Sequence, residues 1–136
     1  MKITNPAMLK KMERVLEAAG GIHTLDDIGE ALQKGTMFSH VVGETWILTE
    51  IIEYPRKKVA NITYVIGNLS DALTAEAVVE EWANNAGVDF ITATGRSGWW
   101  GFRSPGWRMM GTLYSKELDN GRRRRSTSND APSNGS

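Results

Sequence analysis

Side chains suited to binding a partner are concentrated in one short stretch, positions 95–108. Three of the five tryptophans fall within nine positions there, beside arginines, glycines and one proline. Trp and Arg are enriched at the energetic centres of interfaces, and a guanidinium stacks well on an indole face. We therefore predict a partner interface formed by Arg96, Trp99, Trp100, Phe102, Arg103 and Trp107. The alternative is that these rings are buried and cover the end of a sheet.

Candidates for acid–base chemistry are few. Glu50 and Glu53 are the candidates for a general base, and the alternative is that both are solvated or paired at a sheet edge. His40 lies in an apolar stretch, which favours a half-buried imidazole with a hydrogen-bond partner over a catalytic one. His23 follows two glycines and is expected at the surface or as a capping residue. We predict no catalytic residue.

Nucleophile and metal chemistry find no support in the sequence. There is no cysteine, so disulfides, thiolate nucleophiles and cysteine-based metal sites are excluded. No group of histidines or carboxylates has the spacing of metal ligands, and we predict no metal. Ser97 lies in a stretch that resembles a nucleophile elbow, but Trp99 stands in place of its final glycine.

The elements that must position these residues begin with two helices. Pro6 suits the first turn of a helix, and apolar residues at helical spacing continue to Ala19. A second helix is predicted after Thr24, because its spacing from Asp27 resembles a capping box. Gly35 should end this helix.

The pattern then changes to that of strands. Strands are predicted at 37–42, 45–54 and 59–66, and the last two form a hairpin. Consecutive apolar residues at Trp46, Ile47 and Leu48 predict a sheet that is covered on both faces.

A helix over 71–86 should connect this hairpin to a strand at 88–93. That strand should lie parallel to 59–66, since a crossover helix separates the two. The predicted buried stripe of the helix is Ala75, Val78, Val79, Trp82 and Ala86. A final strand or a bent pair is predicted at 107–116.

This order of elements resembles the GNAT fold, the architecture of acetyl-CoA-dependent N-acetyltransferases, without its first strand. The resemblance covers most of residues 5–118. We expect an α+β fold with α/β-like features. It would be a GNAT-like mixed sheet with an N-terminal helix pair, a central hairpin, and a crossover helix before a parallel strand.

The resemblance also implies where a cofactor would bind. In the family, a loop of pattern Gln/Arg-x-x-Gly-x-Gly/Ala between the central strand and the next helix holds the pyrophosphate of acetyl-CoA. The corresponding residues 67–72 have one glycine and no Arg or Gln, and they place Asp71 at the helix start. A carboxylate there can satisfy the helix N–H groups itself and repels a phosphate. We expect no cofactor, with acetyl-CoA as ligand if the alternative function, N-acetyltransferase, holds.

The family's general acid is also missing from its usual place. Many GNAT enzymes use a tyrosine on the helix after the splayed strand. The matching segment, 97–104, contains no tyrosine; Tyr54 and Tyr64 lie in the hairpin, and Tyr114 lies in the predicted last strand.

A narrower resemblance is to small GNAT-like proteins of tailed bacteriophages, of the accessory or internal virion type. It rests on Gly-Arg-Ser-Gly-Trp at 95–99, Gly-Trp at 106–107 and Lys-Glu-Leu at 116–118. The resemblance implies a non-catalytic pseudo-enzyme that acts through protein–protein contacts as a structural or accessory virion protein in viral assembly. Its partners would be other virion proteins or its own subunits, so we expect an oligomer or a complex.

The charge distribution divides the chain into a domain and a tail. Residues 1–118 carry 12 basic and 14 acidic side chains, whereas 119–136 contain four arginines and two aspartates. We expect a GNAT-like domain at 1–118 and a basic tail at 119–136 that is disordered when free, because it lacks large apolar residues. The tail anchor would be Arg122, Arg123, Arg124 and Arg125. These arginines would contact an acidic groove or DNA phosphates, which makes a DNA-binding accessory protein a further alternative; a merely solubilising tail is the simplest one.

No apolar run reaches the roughly 18 residues that a membrane span requires. The first residues lack the apolar core of a signal peptide. We expect the virion or the host cytoplasm, no secretion by a signal peptide, and no membrane partner.

Overall fold

The computed structural model describes residues 5–94 and 106–121 of the 136-residue chain. It contains three α-helices, one 3-10 turn and four strands in its described part. In chain order these are α1 (Pro6–Ala18), α2 (Leu25–Lys34), β1 (Phe38–Val42), β2 (Thr45–Glu53), β3 (Lys58–Ile66), the turn Leu69–Asp71, α3 (Ala72–Asn85) and β4 (Phe90–Ala93). None of the described helices is long and apolar enough to cross a membrane.

The two N-terminal helices begin and end where their capping residues place them. The Asn5 side chain accepts hydrogen bonds from the N–H groups of Ala7 and Met8, ahead of Pro6 in the first turn of α1. Thr24 and Asp27 form the predicted capping box at the start of α2. These bonds satisfy N–H groups that have no partner within the helix itself.

The sheet has the order β1-β2-β3-β4. The first three strands are antiparallel neighbours, and β4 pairs with β3 in parallel through Val59–Phe90 to Ile62–Ala93. The hairpin and the parallel strand after the crossover helix are therefore confirmed. The chain has the expected α+β fold with a mixed sheet.

Both faces of the sheet are covered, as the consecutive apolar residues of β2 predicted. Trp46 and Leu48 belong to a core under α1 and α2, and Ile47 belongs to a second core under α3. All three side chains are at most 2 % exposed. A strand that is buried on both sides has no polar face, which explains its unbroken apolar run.

A β-bulge in β3 changes which core its side chains enter. Leu48 pairs with Tyr64 and Thr49 with Ile62, so Thr63 is the extra residue on this strand. Tyr64 consequently packs in the α1/α2 core, whereas Ile62 packs in the α3 core. Without the bulge, two residues at this spacing would lie on the same face.

The buried stripe of α3 differs from the predicted one. The structure buries Ala72, Ala75, Glu76, Val79 and Ala83. Of the predicted stripe, Val78 is exposed, and Trp82 and Ala86 are only partly buried. Small residues at 72, 75 and 83 let the helix approach the sheet closely, and the large indole of Trp82 lies beside this contact against Phe38 and His40.

The strand predicted at 107–116 is absent from the described structure. This segment has no regular secondary structure, and most of its residues are exposed. A strand needs a neighbouring strand for its backbone hydrogen bonds, and no described strand pairs with the segment. The predicted boundary at Leu118 and the predicted tail stay predictions.

Candidate functional site

A wide opening in the described structure lies where β3 extends beyond β4. The parallel pairing ends at Ile62 and Ala93, and β3 continues through Ile66 with no described strand on that side. A cavity of about 690 Å³ occupies this position, between the strand and α1. Its lining consists of Lys11, Arg14, Val15, Ala18 and Ala19 from α1 and its C-terminal cap, together with Ile62, Thr63, Tyr64, Val65, Ile66, Gly67 and Thr94.

The charges on this α1/β3 cavity all have one sign. Lys11 and Arg14 are one helical turn apart on α1, and no described lining residue is acidic. A cavity lined by cations without carboxylates attracts an anion. The edge of β3 beside them pairs with no described strand beyond Ile62, and its backbone groups can serve an extended ligand. Sequence reasoning missed both cations because polar residues on an amphipathic helix also fit a solvent-facing surface.

One of the two predicted general-base candidates lies next to this cavity. Thr63, which lines the cavity, donates a hydrogen bond of 2.9 Å to Oε1 of Glu50. On the same sheet, the Thr92 hydroxyl of β4 donates to the side-chain oxygen of Asn61 at 2.9 Å. The Glu50 carboxylate is therefore one hydrogen bond away from a residue of the cavity lining, and it is not part of that lining itself.

The second candidate is placed differently. The Glu53 side chain is 76 % exposed and lies 4.0 Å from the Lys58 ammonium. Both glutamates belong to β2, an inner strand of the described sheet, so the expected location at a sheet edge is wrong. The expectation of a paired or solvated side chain fits Glu53 alone, because Glu50 is partly buried against Thr63.

A hydrogen bond between His23 and Tyr64 joins the connection between α1 and α2 to the wall of the α1/β3 cavity. The Tyr64 oxygen lies 2.6 Å from Nδ1 of His23, and the two rings meet edge to face. Burial raises the pKa of Tyr64, and the negative charge of Glu50 raises it further. The phenol thus keeps its proton at neutral pH. His23 is partly exposed, as expected of a surface residue, and its side chain bonds to a partner distant in sequence that local patterns do not reveal.

His40 has the role that its apolar strand predicted. Its Nε2 lies 2.9 Å from the Thr49 hydroxyl, and its ring stands edge-on against Trp82. Burial lowers the pKa of His40, which keeps the imidazole neutral near pH 7. His40 is not part of the lining of the α1/β3 cavity, and its ring packs β1 against Trp82 of α3.

Comparison with known proteins gives a fold assignment. No family model and no curated protein matches the sequence. Among solved structures, a point mutant of the Thermus thermophilus protein TTHA1254 matches with a TM-score of 0.58 at 12 % identity, over 86 % of this chain and 95 % of that one. Wild-type TTHA1254 matches with a TM-score of 0.56 at 12 % identity, over 87 % and 95 % of the two chains. A structure described as a probable acetyltransferase has a TM-score of 0.58 at 9 % identity, over 85 % and 93 %.

The chain has a GNAT-like fold. At such low sequence identities, the structural similarity shows only that the helices and strands are arranged alike. The expected phage origin and particle role stay predictions, since no match bears on them.

In this GNAT-like fold, the loop between β3 and α3 is occupied by internal contacts. The backbone N–H of Asn68 donates to the Thr45 hydroxyl. A Cβ on Gly67 would lie 2.7 Å from the Cα of Thr45, so this glycine permits close packing on β2. The carboxylate of Asp71 accepts the N–H of Glu44 at 3.2 Å.

These contacts correct one expectation about Asp71. Its side chain makes no capping hydrogen bond to α3. The carboxylate instead holds the turn between β1 and β2, which the sequence around position 71 alone does not reveal. The Asp71 carboxylate nevertheless lies beside the loop that would hold a pyrophosphate. The loop therefore does not fit a pyrophosphate.

The predicted partner interface lies mostly outside the described residues. This applies to Arg96, Trp99, Trp100, Phe102 and Arg103, and to the tail anchor Arg122, Arg123, Arg124 and Arg125. Trp107 is described, and its indole N–H donates to Oε1 of the buried Glu76. The Trp107 ring packs against the α3 core, which corresponds to the alternative predicted for these aromatics. Within residues 5–94 and 106–121, no three His, Asp or Glu side chains form a metal-binding group.

Proposed function

We propose that the chain binds an acyl-CoA-type thioester in the α1/β3 cavity. The observation that carries this proposal is the cavity itself, which opens at the point where β3 continues without β4. The proposal is supported by the GNAT-like fold and by the description of one structural neighbour as a probable acetyltransferase. The pantetheine arm of such a ligand is a narrow chain with two amides. Amides of this kind can pair with an open strand edge, as peptides do when they add to a sheet.

The phosphates of the ligand need a different anchor from the one the family would use. Because the β3–α3 loop does not fit a pyrophosphate, Lys11 and Arg14 are the groups that would hold it. Arg offers two parallel N–H donors to a phosphate, and Lys offers a compact positive charge. Both belong to one face of α1, so the helix presents them together.

Acyl transfer to an amine is a second candidate, supported by the bond between Thr63 and Glu50. Transfer requires a group that takes a proton from the attacking amine, and a carboxylate within reach of the cavity wall suits that role. Glu50→Gln keeps the shape of the side chain and removes its charge. If the chain is a transferase, this variant should lose transfer and retain ligand binding. Transfer that persists unchanged would exclude Glu50 as the base.

The predicted roles in a virion and on DNA rest mainly on residues 96–103 and 122–125, which lie outside the described structure. They stay alternatives to ligand binding.

The test of ligand binding is calorimetry of the full chain with acetyl-CoA and with coenzyme A, together with thermal unfolding. A ligand at about 100 times its dissociation constant adds roughly 2.7 kcal/mol to the free energy of unfolding. Ala18→Trp should weaken binding because it places an indole into the cavity lining. Leu73→Trp, at an exposed site on α3 outside the lining, is the matched control and should bind normally. No heat of binding and no thermal shift with either ligand would reject the proposal.

A further inference from the structure

A second surface of the chain carries several large apolar side chains that are exposed. Within residues 107–118, five large apolar side chains are between 66 and 86 % exposed. They are Met109, Met110, Leu113, Tyr114 and Leu118. Contiguous apolar patches on monomeric proteins rarely exceed a few hundred Å², and larger ones mark sites of association.

This segment adjoins a groove on the same molecule. The groove has a volume of about 390 Å³ and is lined by Tyr54, Pro55, Arg56, Lys57, Val59, Phe90, Thr92 and Met110. Tyr54 is 55 % and Phe90 37 % exposed. The outer edge of β4, the strand that contains Phe90 and Thr92, has no neighbouring strand in the described sheet. Met110 belongs to both the segment and the groove, so the two form one surface.

We propose that this surface, formed by the 107–118 segment and the Tyr54/Phe90 groove, associates with the same surface of a second copy of the chain. The area supports a stable pair. The five exposed side chains of the segment, together with Tyr54 and Phe90 of the groove, expose on the order of 800 Å². Each partner in a standard interface buries about 800 Å². A monomer would leave this area in water at a substantial cost in free energy.

The shapes of the two parts also favour a second copy. One part is an exposed apolar segment and the other is a concave apolar groove, and each chain carries both. A twofold axis lets each segment enter the groove of the other chain, so both contacts are made twice. Phe90 and Thr92 of β4 line this groove, and the unpaired outer edge of the same strand can offer backbone hydrogen-bonding groups to the incoming segment.

The test is the mass of the full chain in solution, measured by light scattering and sedimentation over about two decades of protein concentration. The wild type should have twice the 15.0 kDa mass of one chain. The double variant Leu113→Asp/Tyr114→Asp should have the mass of a single chain. Its circular dichroism should match that of the wild type, because both side chains are exposed within the single chain.

Two further variants distinguish association through this surface from a general effect of exposed apolar side chains. Tyr54→Asp changes the groove and should also yield single chains. Ile22→Asp removes an equally exposed apolar residue, 72 % accessible, that lies between α1 and α2; it should leave the pair intact.

The proposal is overturned if the wild type is a single chain at every concentration. It also fails if Leu113→Asp/Tyr114→Asp keeps the double mass, or if Ile22→Asp dissociates the pair as readily as the segment variant does. A pair that survives Tyr54→Asp would remove the groove from the interface and overturn the segment-in-groove arrangement.

Discussion

The Tyr64 oxygen and Nδ1 of His23 are 2.6 Å apart, although 41 residues separate them in the chain. This hydrogen bond ties the middle of β3 to the connection between α1 and α2. It lies at one end of the helix that lines the α1/β3 cavity. The bond therefore helps to fix the position of α1 relative to the strand edge.

Tyr64→Phe should lower the free energy of unfolding by about 0.5–1.5 kcal/mol, since it deletes the hydroxyl and keeps the packed ring. His23→Ala should cost a similar amount, and the double variant should cost less than the two single losses together. Chemical denaturation of all four proteins measures this coupling. Strictly additive losses would show that the two side chains do not stabilise each other.

Gly67→Ala should destabilise the protein by about 1–3 kcal/mol, because the new methyl group would overlap the Thr45 backbone. Gly29→Ala is the matched control, since a Cβ at Gly29 in α2 would meet no atom within 4 Å. It should be neutral or stabilising by up to about 1 kcal/mol, given the better helix propensity of alanine. Equal effects of the two substitutions in thermal unfolding would contradict the close packing of Gly67 on β2.

Stability should fall as the pH drops below about 6.5, the ordinary pKa of histidine. Burial lowers the pKa of His40, so the unfolded chain binds a proton there before the folded chain does. Above the pKa of the unfolded chain, His40 is neutral in both states and does not affect the pH dependence of stability; at lower pH its protonation in the unfolded chain favours unfolding. His40→Gln should flatten this part of the pH dependence measured by urea denaturation. His23→Gln is the control and should leave the His40 contribution in place. If His40→Gln does not change the slope of the unfolding free energy against pH, other groups are responsible for that slope.

Charge reversal in the cavity tests the proposed phosphate anchor. Lys11→Glu/Arg14→Glu should weaken coenzyme A binding by about tenfold or more, which corresponds to about 1.4 kcal/mol. Lys10→Glu changes a neighbouring exposed cation that is not part of the cavity lining, and it should have little effect. If the wild type binds coenzyme A but the double reversal binds it equally well, the anchor is wrong while the ligand proposal stands.

Local signals in the sequence were sufficient to predict much of the fold. Thr24 and Asp27 predicted the start of α2, and the apolar run at Trp46 predicted a strand with two covered faces. The crossover rule predicted the parallel placement of β4. Each of these predictions depends on residues close together in the chain or on a general rule of chain connection.

The candidate site depended on contacts that such signals do not contain. The pairing of His23 with Tyr64 joins distant segments, and the cavity is formed jointly by α1 and β3. The buried stripe of α3 was misplaced because small and apolar residues lie on more than one side of that helix. Packing against the sheet then selected Ala83 over Val78.

The bulge at Thr63 has a consequence for how this chain could evolve. A bulge arises from the insertion of a single residue, and here it lies just past the last pair between β3 and β4. A single residue, encoded by one codon, therefore lies between the part of β3 that pairs with β4 and the part that continues along the cavity. Gain or loss of that codon would exchange which side chains of residues 64–66 enter the α1/α2 core and which enter the α3 core, while Val59–Ile62 and their parallel neighbours kept their register.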